Sequence, residues 1–247
     1  MNSIKRKVKN IVRNIIMSDA LKNTSLIKNM RAKRQAKLDA ERKRLFDLYG
    51  QECLELIKDT LDKENIQFWL DFGTLLGAMR EKDFIAHDLD VDLGMFQDEE
   101  TIKRAEEALA KVGIKKIREF KIHGKVSEQT YEYKGMLTDM FYYFTDEKTM
   151  WTYSFSFSDC KLEKKNFENR DESTGFNGGI KLVNNKRGVE TLMFKGREYF
   201  VPENPVGYLI ENYGPGYKEP VKEWDYMNSP TNRIAFKEKD IIMVEYY

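Results

Sequence analysis

Three aspartates at alternate positions, Asp88, Asp90 and Asp92, with Leu89, Val91 and Leu93 between them, constrain this 247-residue chain more than any other feature. Period-two alternation is the mark of a β-strand. On a strand, the three carboxylates project from one face and the apolar residues from the other. Like charges packed this closely repel, and each disfavours ionisation of its neighbours. Such a set is tolerated where a divalent cation sits among the oxygens. The pattern therefore points to a metal site suited to phosphate. The competing reading is an exposed edge strand whose charges deter aggregation.

The surroundings weigh against that plainer reading. Phe68, Trp69, Leu70 and Phe72 form a buried-type strand just upstream. Gly73 permits close backbone approach, and Thr74 is placed to cap a helix carried by Leu75, Leu76, Ala78 and Met79. The N-terminus of a helix offers unpaired N–H groups to an anion. A phosphate cradle and a cation site thus stand about fifteen residues apart.

The same residues resemble the LicD/fukutin-type proteins, which have a nucleotidyltransferase fold. Asp71, Gly73, Thr74, Leu75, Leu76, Gly77 and Arg80 match the first part of that family's pattern. Phe84, Ile85, Asp88, Asp90, Asp92, Gly94 and Met95 match the second. The departures are Asp83 in place of glycine, Ala86-His87 in place of Pro-Trp, and Leu89 in place of the central aspartate. Further on, Met136–Phe141 resembles the family's later strand, with Asp139 as the third carboxylate. Phe194–Pro202, Tyr208-Leu209 and Tyr213-Gly214 resemble its closing segment, so the likeness covers roughly residues 50 to 225.

The resemblance implies an α/β (α+β) fold, a nucleotidyltransferase-like mixed β-sheet flanked by helices. It implies transfer of a phospho-alcohol such as phosphocholine, ribitol phosphate or glycerol phosphate from a CDP-activated donor, with release of CMP. The acceptor would be a hydroxyl of a cell-surface glycan, as in capsule, lipopolysaccharide or teichoic acid synthesis. Asp90, Asp92 and Asp139 are the expected catalytic carboxylates, and Asp88 joins them as a candidate ligand for Mg²⁺ or Mn²⁺. Gly73, Thr74 and Arg80 are expected to contact the donor phosphates; the alternative for Arg80 is a salt bridge to the acidic strand. Two other readings stand beside this one. One is a nucleotidyltransferase that consumes a nucleoside triphosphate and releases pyrophosphate. The other is a non-enzymatic module recruited to membranes.

Charge divides the chain unevenly. Residues 1–48 hold 14 Lys and Arg against 4 Asp and Glu, an excess of +10, and the remainder holds 28 against 37, an excess of −9. Within the basic arm, Ile4, Val8, Ile11, Val12, Ile15 and Ile16 share one helical face, with Lys5, Arg6, Lys7, Lys9 and Arg13 mainly opposite. Residues 1–18 are expected to lie on an anionic membrane surface, with packing on protein as the alternative. The arm lacks the aromatic interleaving of a nucleic-acid binder. It lacks the continuous apolar core of a signal peptide. No run approaches twenty apolar residues. Cys53 and Cys160 make neither a disulfide framework nor a metal-ligand spacing. The expected location is cytoplasmic, peripheral on the inner face of the membrane, with a lipid-linked glycan as a possible acceptor.

The expected organisation is a basic helical arm over 1–48 and a catalytic domain over 49–247. Residues 24–63 read as one or two helices, with Cys53 as a small buried residue on the core stripe. Asp98 to Val112 reads as a helix stopped by Gly113. Segments 114–122, 129–134, 137–144 and 151–157 read as strands. Residues 159–183 read as an irregular polar loop that lines the acceptor site. Residues 202–213 read as a loop and short helix. His87 reads as a pocket-lining or structural residue, and His123 as a turn residue.

Overall fold

The computed structural model describes residues 25–155, 161–221 and 224–247. The chain divides into two compact units, Met1–Arg44 and Leu45–Tyr247. The basic amphipathic segment 1–18 and Cys160 lie outside the described residues, as does the start of the polar segment at 159. Among the described residues no helix is long and apolar enough to cross a membrane.

Four helices are described: α1 (Ser25–Lys63), α2 (Phe72–Arg80), α3 (Glu99–Lys111) and α4 (Pro205–Tyr213). In the second unit, α1 buries Phe46, Cys53, Leu54, Ile57 and Leu61, which recur at three- and four-residue steps. Cys53 packs as a small apolar group, and burial pushes its thiol up to about 12. Helix α3 starts where Asp98 accepts from the Thr101 N–H, and its chain leaves through Gly113 at φ +86°.

The sheet is mixed. Its central strands are β1 (Trp69–Leu70), β2 (Asp90–Phe96), β3 (Lys115–Ile122), β4 (Lys125–Tyr133) and β5 (Met136–Thr145). The order β1-β2-β5-β4-β3 places β2 and β5 side by side in parallel, and antiparallel pairs surround them. The remaining strands are β6 (Thr149–Phe155), β7 (Glu163–Asn166), β8 (Arg170–Thr174), β9 (Gly179–Asn185), β10 (Val189–Phe194), β11 (Arg197–Pro202), β12 (Arg233–Phe236) and β13 (Ile241–Tyr246). Hairpin β10–β11 extends the sheet beyond β1, with β11 parallel to β1. Strand β13 adds to the other side between β3 and β8. Strands β6, β9 and β12 form an antiparallel branch from the end of β5.

The polar segment expected to be irregular is a correction: from residue 163 it forms β7, β8 and the start of β9. Its glycines misled the sequence reading because they serve close backbone crossings. A Cβ on Gly178, at φ +95°, would lie 2.0 Å from the Phe236 carbonyl oxygen. The main core packs α1 from Phe46 onward, α2 and α3 against the central strands.

Candidate active site

Strand β2 begins at Asp90, so Asp88 lies in the preceding loop and not on the strand as expected. The alternation holds from Asp90 onward. Val91 and Leu93 are fully buried on one face, while Asp90 and Asp92 are half-buried on the other. The parallel register sets Asp92 directly beside Asp139 of β5. Partners in register on parallel strands point the same way, so both carboxylates share a face.

Helix α2 delivers Gly73 and Thr74 to this face, and both are used to hold Asp92. The Gly73 N–H donates to Asp92 Oδ2 at 2.9 Å. The Thr74 hydroxyl accepts the Asp92 N–H at 2.9 Å and is wholly buried. Strand geometry explains the second bond. A strand residue's N–H and C=O point to the same neighbour, and the Asp92 carbonyl accepts from the Asp71 N–H as β1 gives way to α2. The Asp92 N–H then has no strand to pair with, and Thr74 supplies the acceptor. The Thr74 hydroxyl thus positions Asp92 through its oxygen. The expected helix cap is also corrected: Asp71, not Thr74, is the N-cap.

Asp71 is buried at the base of α2. It accepts from the Phe72 N–H at 2.8 Å, the Tyr143 hydroxyl at 2.8 Å and the Tyr208 hydroxyl at 2.6 Å. Burial raises its pKa to about 6 against the pull of those three donors. Phe72 has φ +34°, a strained value for a side chain with a Cβ, and its ring stands edge-on to Phe141 with centroids 4.8 Å apart. The turn that aims Gly73 at Asp92 is thus clamped from β5 and α4.

The carboxylates push one another upward. Burial raises the pKa of Asp92 far above the usual range, and Asp90, Asp139, Asp88 and Asp71 add to it. Asp88 rises to about 7 through burial and then Asp90. Its Oδ2 is buried without a hydrogen-bond partner. A Cβ on Gly73 would lie 3.0 Å from Asp92 Oδ2, a tight approach, and at ordinary contact, 3.5 Å, from Asp88 Oδ2, so the glycine mainly makes room for Asp92. On the far side of Asp139, Thr130 donates to Oδ1 at 2.5 Å and Arg118 stands 3.9 Å away. Glu128, also buried, is pushed well above the usual carboxylate range by burial and then by Asp139, against Arg118.

Beside Asp88 and Gly73 opens a cleft of about 140 Å³, walled by Arg80, His87, Tyr213, Tyr217 and Trp224 among others. His87 thus lines the cleft. Arg80 also lines it, with its guanidinium bound to Glu81 Oε1 at 2.6 Å. The ion pair of Arg80 is with this neighbour in sequence and not with the acidic strand. The Tyr213 hydroxyl is held far above its ordinary pKa by burial and then by the charges of Asp92, Asp71 and Asp88.

A hard divalent ion is tested by these groups. The donors are all carboxylate oxygens, the kind Mg²⁺ and Mn²⁺ prefer, and one buried oxygen lacks a partner. Among the described residues no three carboxyl, imidazole or thiol groups stand as a ready-made ligand shell. The set fits such an ion by its chemistry.

The sequence model described as LicD/FKTN/FKRP, nucleotidyltransferase domain, matches residues 65–204. The chain belongs to this family. That span holds α2, β2, β5 and all four candidate carboxylates. Ribitol-5-phosphate transferase FKTN of Homo sapiens is 30% identical over 194 residues, covering 76% of this chain and 37% of that protein. The Mus musculus protein of the same name is 28% identical over 195 residues with the same coverages. The chain therefore spans little more than a third of the curated relatives it matches first. Rickettsia prowazekii protein RP689 is 38% identical over 69 residues, 26% of each chain. The solved structure of ANT(2")-Ia in complex with adenylyl-2"-tobramycin superposes with a TM-score of 0.31 at 18% identity, covering 43% of this chain and 54% of that one. A likeness that loose does not bear on the fold assignment.

Sequence reasoning assigned no role to Asp71, Thr130, Arg118, Glu128, Tyr143 or Tyr208. Only Asp71 carried a local signal, as a buried-type strand end followed by Phe-Gly-Thr. The others reach the site through pairing of distant segments.

Proposed function

We propose that this family member transfers a phospho-alcohol from a CDP-activated donor to a hydroxyl of a glycan. The observation that supports the reading most strongly is the in-register placement of Asp92 and Asp139, with Asp88 and Asp90 beside them. In the reaction, the acceptor oxygen bonds to the phosphorus that carries the alcohol. The bond from that phosphorus to the bridging oxygen breaks, CMP leaves, and the acceptor's proton is released. Asp90, Asp92 and Asp139, with Asp88, would hold Mg²⁺ or Mn²⁺, which when bound neutralises charge developing on the phosphate oxygens. Asp139, fixed by Thr130, is the candidate to take the hydroxyl proton. Gly73 and Thr74 keep Asp92 from turning away. Arg80 pairs with a donor phosphate once it exchanges its Glu81 partner.

The decisive assay offers CDP-choline, CDP-glycerol and CDP-ribitol with metal and a glycan acceptor, and follows CMP. CMP release that vanishes in Asp90→Asn and Asp92→Asn, with melting temperature kept, supports the assignment. Turnover retained in either variant refutes it. Pyrophosphate release from a nucleoside triphosphate would move the reading to nucleotidyl transfer.

The basic arm is proposed to hold the enzyme on an anionic membrane where lipid-linked acceptors reside. Deletion of residues 1–18 then weakens salt-sensitive binding to anionic vesicles. Unchanged vesicle binding would assign the arm to packing.

A further inference from the structure

The cleft beside the acidic cluster is lined by Asp88 and Gly73, and a Cβ on Gly73 would stand 3.0 Å from Asp92 Oδ2. Its lining also carries the rings of Tyr213, Tyr217 and Trp224, with Arg80, His87 and Glu219 as polar groups. Tyr213 lines the same cleft, and its ring packs on Trp224 with centroids 4.8 Å apart at 44°. Trp224 is 36% exposed, so part of its ring is open to a ligand. A flat heteroaromatic ring would stack on it. At about 140 Å³ the cleft falls well below the roughly 300–1,000 Å³ of pockets that enclose whole drug-sized ligands, so it takes a single ring.

We infer that Trp224 is the stacking platform for a single-ring nucleobase of the donor, whose phosphates lie toward Asp88 and Gly73. This assignment rests on the reading of the site as one that binds a nucleotide donor. It makes Trp224 a specificity residue set by the segment after α4, outside the 65–204 span of the family match.

Trp224 reports on its own occupancy, because Trp69 is fully buried elsewhere and Trp151 lines a different cavity. The test uses the full chain with Mg²⁺, and CMP and AMP as probes. Expected are quenching of tryptophan fluorescence by CMP and weaker binding of AMP. By calorimetry, CMP should bind about tenfold or more weakly to Trp224→Leu, which keeps apolar bulk without a ring face, and within a fewfold of wild type to Trp224→Phe. Melting temperatures of both variants should match wild type. CMP bound equally by Trp224→Leu, no CMP binding to wild type, or AMP bound as tightly as CMP would each overturn the inference. Its failure is separable from that of the proposed function. Trp224-dependent CMP binding without phospho-alcohol transfer leaves the platform standing and removes the reaction, and transfer indifferent to Trp224→Leu does the reverse.

Discussion

Thr74→Val separates the two roles a threonine at this position can play. The substitution keeps shape and removes the oxygen that accepts the Asp92 N–H at 2.9 Å. Thr74 is completely buried, so water cannot replace the lost acceptor. An orphaned buried N–H costs about 1–3 kcal/mol. In a chain of this length each kcal/mol lowers the melting temperature by about 2–4 °C, so a fall of about 2–12 °C is expected. Thr74→Ser, which restores the oxygen, should recover most of it. Turnover should fall in Thr74→Val through kcat, because a displaced Asp92 misplaces the reacting groups. Thermal melts and steady-state kinetics on the three proteins decide the matter. Thr74→Val that melts like wild type and raises KM at unchanged kcat would mean that the hydroxyl faces the donor phosphate, and the positioning argument would be wrong.

Three further outcomes follow from the packing and the charges. In Gly94→Ala the new Cβ would lie 2.2 Å from Trp69 Nε1, and the indole is wedged by Phe96 and Tyr143 with centroids 5.0 and 5.2 Å away; denaturant titration should find a loss of at least about 1–3 kcal/mol. Tyr208→Phe removes a hydroxyl that bonds Asp71 and meets Tyr143, each at 2.6 Å; the expected loss is about 1.5–3 kcal/mol with reduced turnover, and a neutral result would show that Asp71 does not depend on α4. Glu119 is buried, which by itself raises its pKa, but Lys116, Lys121 and Gln129 outweigh burial and hold it down at about 2. Its folded pKa lies below the unfolded one, so its contribution is present above pH about 4.5 and is lost as pH falls toward 2. The gap in stability between wild type and Glu119→Gln, at most about 3 kcal/mol, should therefore close over that window, and a constant gap would contradict the ion-pair account.

The alternation at Asp90–Leu93 was legible because strand geometry alone sorts those side chains. Helix α3 was legible because Asp98 and Gly113 bracket an amphipathic run. Three hairpin turns also had local signatures, since His123-Gly124, Lys134-Gly135 and Lys195-Gly196 each place two consecutive residues at positive φ. Only the first was noticed as a turn, and its two-residue length was missed, which is why β4 was expected to start at Gln129 when it starts at Lys125. Strand β13 was missed for another reason. Ile241–Tyr246 is an ordinary apolar run, and nothing local says that it inserts between β3 and β8. The supports of the site were illegible on the same ground: Tyr208 meets Asp71 across 137 residues, and only the completed sheet and α4 bring them together.

The way the carboxylates are held explains why a site so acidic could serve an anionic donor. Asp92 is fixed by a neutral backbone N–H and Asp139 by a neutral hydroxyl. Two guanidiniums stand beside these groups. Arg80 binds Glu81 at 2.6 Å, and Arg118 donates to Thr130 at 2.8 Å while standing 3.9 Å from Asp139. Neutral donors orient a carboxylate without cancelling its charge, and Arg118, the ion-pair partner of Asp139, offsets part of the charge on that strand. Carboxylates held this close together raise one another's pKa, the arrangement a small hard cation would relieve. Nucleotide affinity at this face should accordingly depend on the cation, and calorimetry with CMP in the presence and absence of Mg²⁺ checks it; equal affinity in both would refute the argument.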